Sequence, residues 1–260
     1  MDLLLLIPIL LGWVAGLFVN YTADVLPRTR RFTRPACRNC ESEHVWLDYL
    51  AMRACRSCGI LRSPRTWIVQ ITMIASFVYF WLYPPKALGL PLSLIVLTYF
   101  AVITIIDLEH RLILFSTSVF GALLGLLVGT YIYFQAKGLS VGTSVGSSLL
   151  GGLIGFGIMY LVYQLGTLVA RYRARKIQVD DDEEAFGGGD VYLAGVIGLM
   201  LGSEYIIPGL TYGILLGGLV SLVLLATSLL QRRYTSQSLM TFIPYGPYLI
   251  AGAAYMLFLG

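Results

Sequence analysis

Four cysteines and two aspartates carry the chemistry that this sequence offers. Cys37, Cys40, Cys55 and Cys58 form a C-x2-C-x14-C-x2-C pattern. Two tight knuckles joined by a short hairpin would present four thiolates to one tetrahedral metal ion, and zinc is the usual occupant of such a set. Four sulfurs close the coordination shell and leave no position for a metal-bound water, so the site would staple the chain and not catalyse. Two disulfides are the alternative pairing, which a reducing cytoplasm disfavours.

Asp107 ends the apolar run 94–106 and opens Asp107-Leu108-Glu109-His110-Arg111. Taken alone, it reads as an interfacial carboxylate beside Arg111. Asp190 changes that reading. It follows Gly187, Gly188 and Gly189 and leads the apolar run 191–201, so it enters the membrane with its helix, where ionisable groups are costly and usually functional. Two carboxylates brought to one membrane face share a proton, and the charge of one raises the pKa of the other. That arrangement activates water for peptide-bond hydrolysis. Glycines ahead of Asp190 let backbone approach an extended substrate. A serine–histidine–acid set does not compete, because the only histidines are His44, near the cysteines, and His110, near Asp107.

The elements that must position these groups are membrane helices. The chain is 57% apolar and 12% charged, with a mean hydropathy of +0.78, a balance foreign to soluble domains. Eight apolar segments recur, at about 3–19, 67–83, 88–106, 112–134, 143–169, 190–203, 205–230 and 239–258, most of them long enough for a hydrocarbon core of about 30 Å. The first lacks a basic flank and a small-residue cleavage site, so it is expected to stay as a helix and not to be removed as a signal. The sixth is short; Glu204 and Pro208 suggest a half-span or one that meets its successor within the bilayer. Glycines between Gly142 and Gly157 point to close helix packing.

Lys and Arg gather in cytoplasmic loops. Placing 20–66 in the cytoplasm assigns every Lys and Arg except Lys86 and Lys137, among the 18 present, to the cytoplasmic side of one eight-span topology. The net charge of +4 is thereby explained without nucleic-acid binding. Segment 20–66 is too small to bury a core of its own and needs a staple. Loop 170–188 carries the acidic run Asp180 to Glu184, which would attract a basic partner or simply stay solvated. Pro244, Gly246 and Pro247 interrupt backbone hydrogen bonding at the start of the last span, as a helix start or as a wall of the cleft.

At these residues the chain resembles the type IV prepilin peptidases, which are GxGD-type aspartic proteases. The resemblance runs through Gly16-Leu17-Phe18-Val19-Asn20 with Leu26-Pro27, the paired CxxC knuckles, Ile106-Asp107-Leu108, Glu184-Ala185-Phe186-Gly187-Gly188-Gly189-Asp190 and Ile243-Pro244-Tyr245-Gly246-Pro247. It implies cleavage of class III leader peptides from prepilins and pseudopilins after a glycine at the cytoplasmic face, with Asp107 and Asp190 as the catalytic pair. Many members also methylate the new N-terminus with S-adenosylmethionine, and the tetracysteine module is similar to that of such bifunctional enzymes. Three positions depart from the family pattern: Leu114-Phe115 where Pro-Asp is frequent, Tyr192 where lysine is usual, and Gln70 where a glutamate often stands. The last bears on methylation more than on cleavage.

The expectation is therefore an all-α polytopic protein of the inner membrane. It comprises a first transmembrane helix (1–19), a zinc-stapled cytoplasmic module (20–66) and a transmembrane aspartic-protease core (67–260), in contact with prepilin precursors and membrane lipid. Two rivals remain: a GxGD protease acting on another substrate, and a non-enzymatic transporter in which the carboxylate pair relays protons or binds an ion.

Overall fold

The structure, a computed structural model, describes residues 2–177, 188–230 and 244–259. The acidic run, Gly187, and Arg232 with Arg233 lie outside the described residues. All regular structure among the described residues is helical, as the composition requires, and the chain divides into two compact units, Met1–His110 and Arg111–Gly260.

The first unit holds α1 (Asp2–Thr29), the short α2 (Trp46–Leu50), α3 (Pro64–Leu82) and α4 (Gly89–His110). Helix α1 packs on α3 and α4. It runs ten residues past the expected end of the first span at 19. Its polar residues there point inward and bond to backbone: the Thr22 hydroxyl donates to Phe18 O at 2.9 Å and Val19 O at 3.0 Å, and Asn20 Nδ2 donates to Thr66 O of α3 at 3.2 Å. Polarity at that point marks a helix–helix seam, not the end of the helix. The seam continues where a Cβ on Gly16 would lie 2.8 Å from Gln70 Oε1, and buried Gln70 donates to Trp13 O at 2.6 Å.

The second unit holds α5 (Phe115–Lys137), α6 (Val141–Ile177), α7 (Gly189–Leu230) and α8 (Gly246–Phe258). Helix α7 is not continuous: Gly202, at φ 70° and ψ 179°, interrupts it. Gly155 of α6 touches both Ala194 and Ile206. Twelve residues of straight helix would separate those two by about 18 Å, so the chain folds back at Gly202. The sixth and seventh expected spans are thus the two arms of α7, meeting as anticipated but at Gly202, before Glu204 and Pro208. Among the described residues, six helices are long and apolar enough to cross a membrane. Counting the arms separately and adding the shorter apolar α8 accounts for all eight expected segments.

A reversal exposes peptide groups that no lipid can hydrogen-bond. Tyr133 of α5 serves two of them, since its hydroxyl donates to Leu201 O at 3.4 Å and accepts from the Glu204 N–H at 3.3 Å. The Ser147 and Ser203 hydroxyls, 3.0 Å apart, tie α6 to the same corner. Gly151 of α6 and Gly198 of α7 approach so closely that a Cβ on either would strike the other's backbone. The glycine packing expected of this helix is therefore real at 151, 152 and 155, whereas Gly142, Gly146 and Gly157 face open space.

Tyr133→Phe should lower stability by about 1–3 kcal/mol, since two backbone groups lose their partner. Gly198→Ala should destabilise through overpacking by about 1–3 kcal/mol, while Gly157→Ala should be neutral or better. Denaturant titration of the three variants in detergent checks the order; equal stability of Gly198→Ala and Gly157→Ala would contradict the packing account.

Candidate functional site

The two knuckles are built alike. In the first, the Cys37 N–H donates to Ser42 O at 2.9 Å and the Glu41 N–H to Cys37 O at 3.0 Å; in the second, the Cys55 N–H donates to Ile60 O at 3.0 Å and the Gly59 N–H to Cys55 O at 2.8 Å. Each closes on a left-handed residue, Glu41 at φ 56° and Gly59 at φ 71°. The four thiols are free and their Sγ atoms lie within 4.8 Å of one another. Cys37 meets Cys58 and Cys40 meets Cys55, both at 3.6 Å. A tetrahedron with Zn–S bonds of about 2.3 Å has sulfur edges of about 3.8 Å, so the donor set fits one such ion. The Ser42 hydroxyl, 3.4 Å from Cys55 Sγ, and the backbone N–H groups of Cys58 and Ser57 pull the Cys55 thiol down to about 5. Cys58 is pushed up to about 12, because desolvation and its sulfur neighbours outweigh the Ile60 backbone bond that favours its thiolate. Four crowded sulfurs do not all ionise together without a cation, which is the charge balance a divalent ion supplies.

The module is fastened to the helices by a carboxylate that the sequence reading passed over. Asp24 of α1 accepts from Arg38 at 3.0 Å and Arg65 at 2.7 Å on Oδ1, and from the Tyr49 hydroxyl at 2.7 Å and Arg62 at 3.2 Å on Oδ2. Glu109 of α4 accepts from the same Arg38 at 2.7 Å and Arg65 at 2.8 Å. Arg62 also lies over the Tyr49 ring, 3.7 Å from its centroid. Burial and the Asp24 charge push the Tyr49 hydroxyl up, which keeps it a donor. The residual cavity among these groups is about 90 Å³, well below the roughly 300 Å³ of a small-molecule pocket. The cluster is a clasp and not a cofactor site. Arg38 stands between the first two cysteines, so the knuckle that shapes it also reaches the end of α4, two residues from Asp107.

Asp107 is buried on α4 in the first unit; the helix ends three residues later, at His110, where Arg111 turns left-handed at φ 52°. His110 Nε2 lies 3.9 Å from Glu109. Asp190 stands in the first turn of α7 in the second unit. Gly189 before it sits against Ile113, whose Cβ would be 2.8 Å from an added Cβ, so a side chain there would dislodge the helix start. Gly188 is open, and Gly187 lies outside the described residues. Pro247 occupies the first turn of α8, Gly246 is buried and Pro244 half-buried. Between them, Tyr245 leans on Gly217, donates to Ile214 O at 3.3 Å and feels the charge of Asp190. The structure thus brings the 244–247 segment within electrostatic reach of Asp190. Of the departing positions, Leu114 precedes the first turn of α5 and Tyr192 packs on Phe156, with ring centroids 6.1 Å apart.

Residues 94–222 match the type IV leader peptidase family. Through this segment, the chain belongs to the type IV leader peptidase family. The family segment encloses both Asp107 and Asp190. The chain is also 26% identical over 234 residues to the prepilin leader peptidase/N-methyltransferase of Myxococcus xanthus strain DK1622, an alignment covering 84% of this chain and 62% of that relative. The family member described here therefore spans less than two thirds of its relative's length. No solved structure gives a significant match.

Purified protein should hold about one metal ion per chain, and Cys55→Ser should lose it; elemental analysis checks both, and a fully reduced, folded, metal-free protein would exclude the staple. Asp24→Asn should cost on the order of 3 kcal/mol, because Arg62 loses its carboxylate and Arg38 and Arg65 each lose one of two in a largely enclosed site. Thermal or denaturant melts of the detergent-solubilised variant measure that loss.

Proposed function

We propose that the chain is a prepilin leader peptidase of the inner membrane that uses Asp107 and Asp190 as an aspartic-protease pair. The observation that carries the reading is the family match over 94–222, a segment that includes both carboxylates. One carboxylate is ionised and takes a proton from water. The resulting nucleophile attacks the scissile carbonyl carbon, while the protonated carboxyl donates to the carbonyl oxygen. Collapse of the tetrahedral intermediate breaks the C–N bond, and the proton held by the general base passes to the departing amine.

The substrates in this reading are type IV prepilins and pseudopilins. A basic leader stays in the cytoplasm while the pilin's apolar helix lies in the bilayer, which brings the junction to the interface. The cytoplasmic module (20–66) and the ends of the helices bearing Asp107 and Asp190 face that side, and Gly187, Gly188 and Gly189 with Pro244, Gly246 and Pro247 line the approach of the extended leader. Zinc fills the tetracysteine site, as its four-thiolate donor set favours.

N-methylation of the new terminus with S-adenosylmethionine is a second step in the same reading. Its support is the name of the Myxococcus relative, and Gln70, where related chains often carry a glutamate, counts against it.

Reconstituted wild-type protein should cleave a purified prepilin after the leader glycine. Asp107→Asn and Asp190→Asn, each verified as folded, should lose on the order of 10⁴-fold or more, the scale of removing an essential acid or base. Retained cleavage in either variant would remove that residue from the mechanism. Labelled S-adenosylmethionine in the wild-type reaction tests the second step: cleaved but unlabelled product would exclude methylation.

A further inference from the structure

The clasp fixes the module against the helices and leaves an apolar face around α2 uncovered. Helix α2 buries Asp48 and Tyr49 and turns Trp46, Leu47 and Leu50 outward together. Leu47 is 77% exposed, Phe32 68% and Trp46 43%. An exposed patch of this kind marks an interaction surface.

Its position on the helices identifies the partner. Phe32 stacks on Tyr21 of α1 with centroids 6.2 Å apart, Trp46 leans on the same ring at 5.4 Å, and the Tyr21 hydroxyl donates to Thr33 O at 2.7 Å. Helices α1 and α3 run in register, Asp24 against Arg65 and Asn20 against Thr66. Tyr21 therefore stands at the level of Trp67 and Ile68 on α3, which point outward at 48% and 64% exposure, where a belt of aromatic side chains meets the headgroups. Phe32 is flanked in the chain by Arg31, and Arg28, Arg30 and Arg31 are all exposed with no ion pair among the described residues. Aromatic and aliphatic side chains at the interfacial level, with arginines beside them, fit an anionic bilayer surface. A soluble partner would have to wedge between this face and the membrane that α1 and α3 cross.

We infer that the tetracysteine module docks on the anionic headgroup layer of its own membrane, with Trp46, Leu47 and Phe32 entering the interface and Arg28, Arg30 and Arg31 pairing with lipid phosphates. This docking does not depend on the peptidase reading. It holds the module, and with it the Arg38 contact to Glu109, at a fixed height above the bilayer.

The test is depth-resolved fluorescence. The full chain, with Trp13, Trp67 and Trp81 changed to Phe, is reconstituted in vesicles of phosphatidylcholine alone or mixed with phosphatidylglycerol, containing lipids brominated near the headgroup. Trp46 emission should be blue-shifted and quenched nearly as strongly as that of a chain retaining only Trp67, and more so in the anionic vesicles. Arg28→Gln, Arg30→Gln and Arg31→Gln should remove the anionic increment, at about fivefold in local partitioning per arginine. Should the triple-Phe chain misfold, the quenching lost on Trp46→Phe in the otherwise unchanged protein gives the same quantity. An unquenched Trp46 beside a quenched Trp67 overturns the proposal, as does equal quenching in both lipids. Shielding of Trp46 that appears only when a prepilin is added assigns the face to a protein partner and also overturns it.

Discussion

Asp24 is the point on which the first unit turns. Its two oxygens accept from three arginines and a tyrosine, and those donors come from the first knuckle, from α2, from the segment just before α3 and from the first turn of α3. Two of the arginines pass on to Glu109 of α4. A carboxylate in so enclosed a place is tolerable only because it is fully paired, and the arginines are equally bound to it. The module buries few apolar side chains, Tyr49 and Met52 among them, so charge and sulfur act beside the aromatic contacts to Tyr21 in setting its orientation.

The second unit meets a different demand with different residues. It is built of helices that touch backbone to backbone, which an apolar solvent permits only where side chains are absent and peptide groups remain paired. Gly151, Gly198 and Gly202 meet the first condition, and the Tyr133 hydroxyl the second. The turn at Gly202 is what allows Asp190, at the start of one arm, to act on Tyr245, which rests on the other.

The apolar segments and the cysteine knuckles were legible in the sequence because each is written locally, as a run or a spacing. The end of α1 was not, since Asn20, Thr22 and Asp24 look like the edge of a membrane segment when in fact they face α3 and the module. Asp24 and Glu109 were missed for the same reason: their partners lie 14 to 71 residues away in the chain. A weak signal existed, an acid between Asn20 and Pro27 with arginines on both arms of the cysteine loop. Gly202 carried no mark distinguishing it from the other glycines of its helix, and the nearby Glu204 and Pro208 drew the expected break a few residues too far. Tyr133 carried no signal at all, because only the fold reveals the two peptide groups it serves.

The fold-back at Gly202 has a further consequence for the lipid around it. The first arm of α7, residues 189–201, is only about 20 Å long, and α8, packed on α7, is 13 residues. Both fall short of a hydrocarbon layer of about 30 Å, and a bilayer relieves such a mismatch by thinning locally. A short arm at Asp190 thus favours a thinned bilayer there, and in the proposed reaction water and the scissile peptide bond would cross a shallower apolar layer to the carboxylate than at a full-length helix.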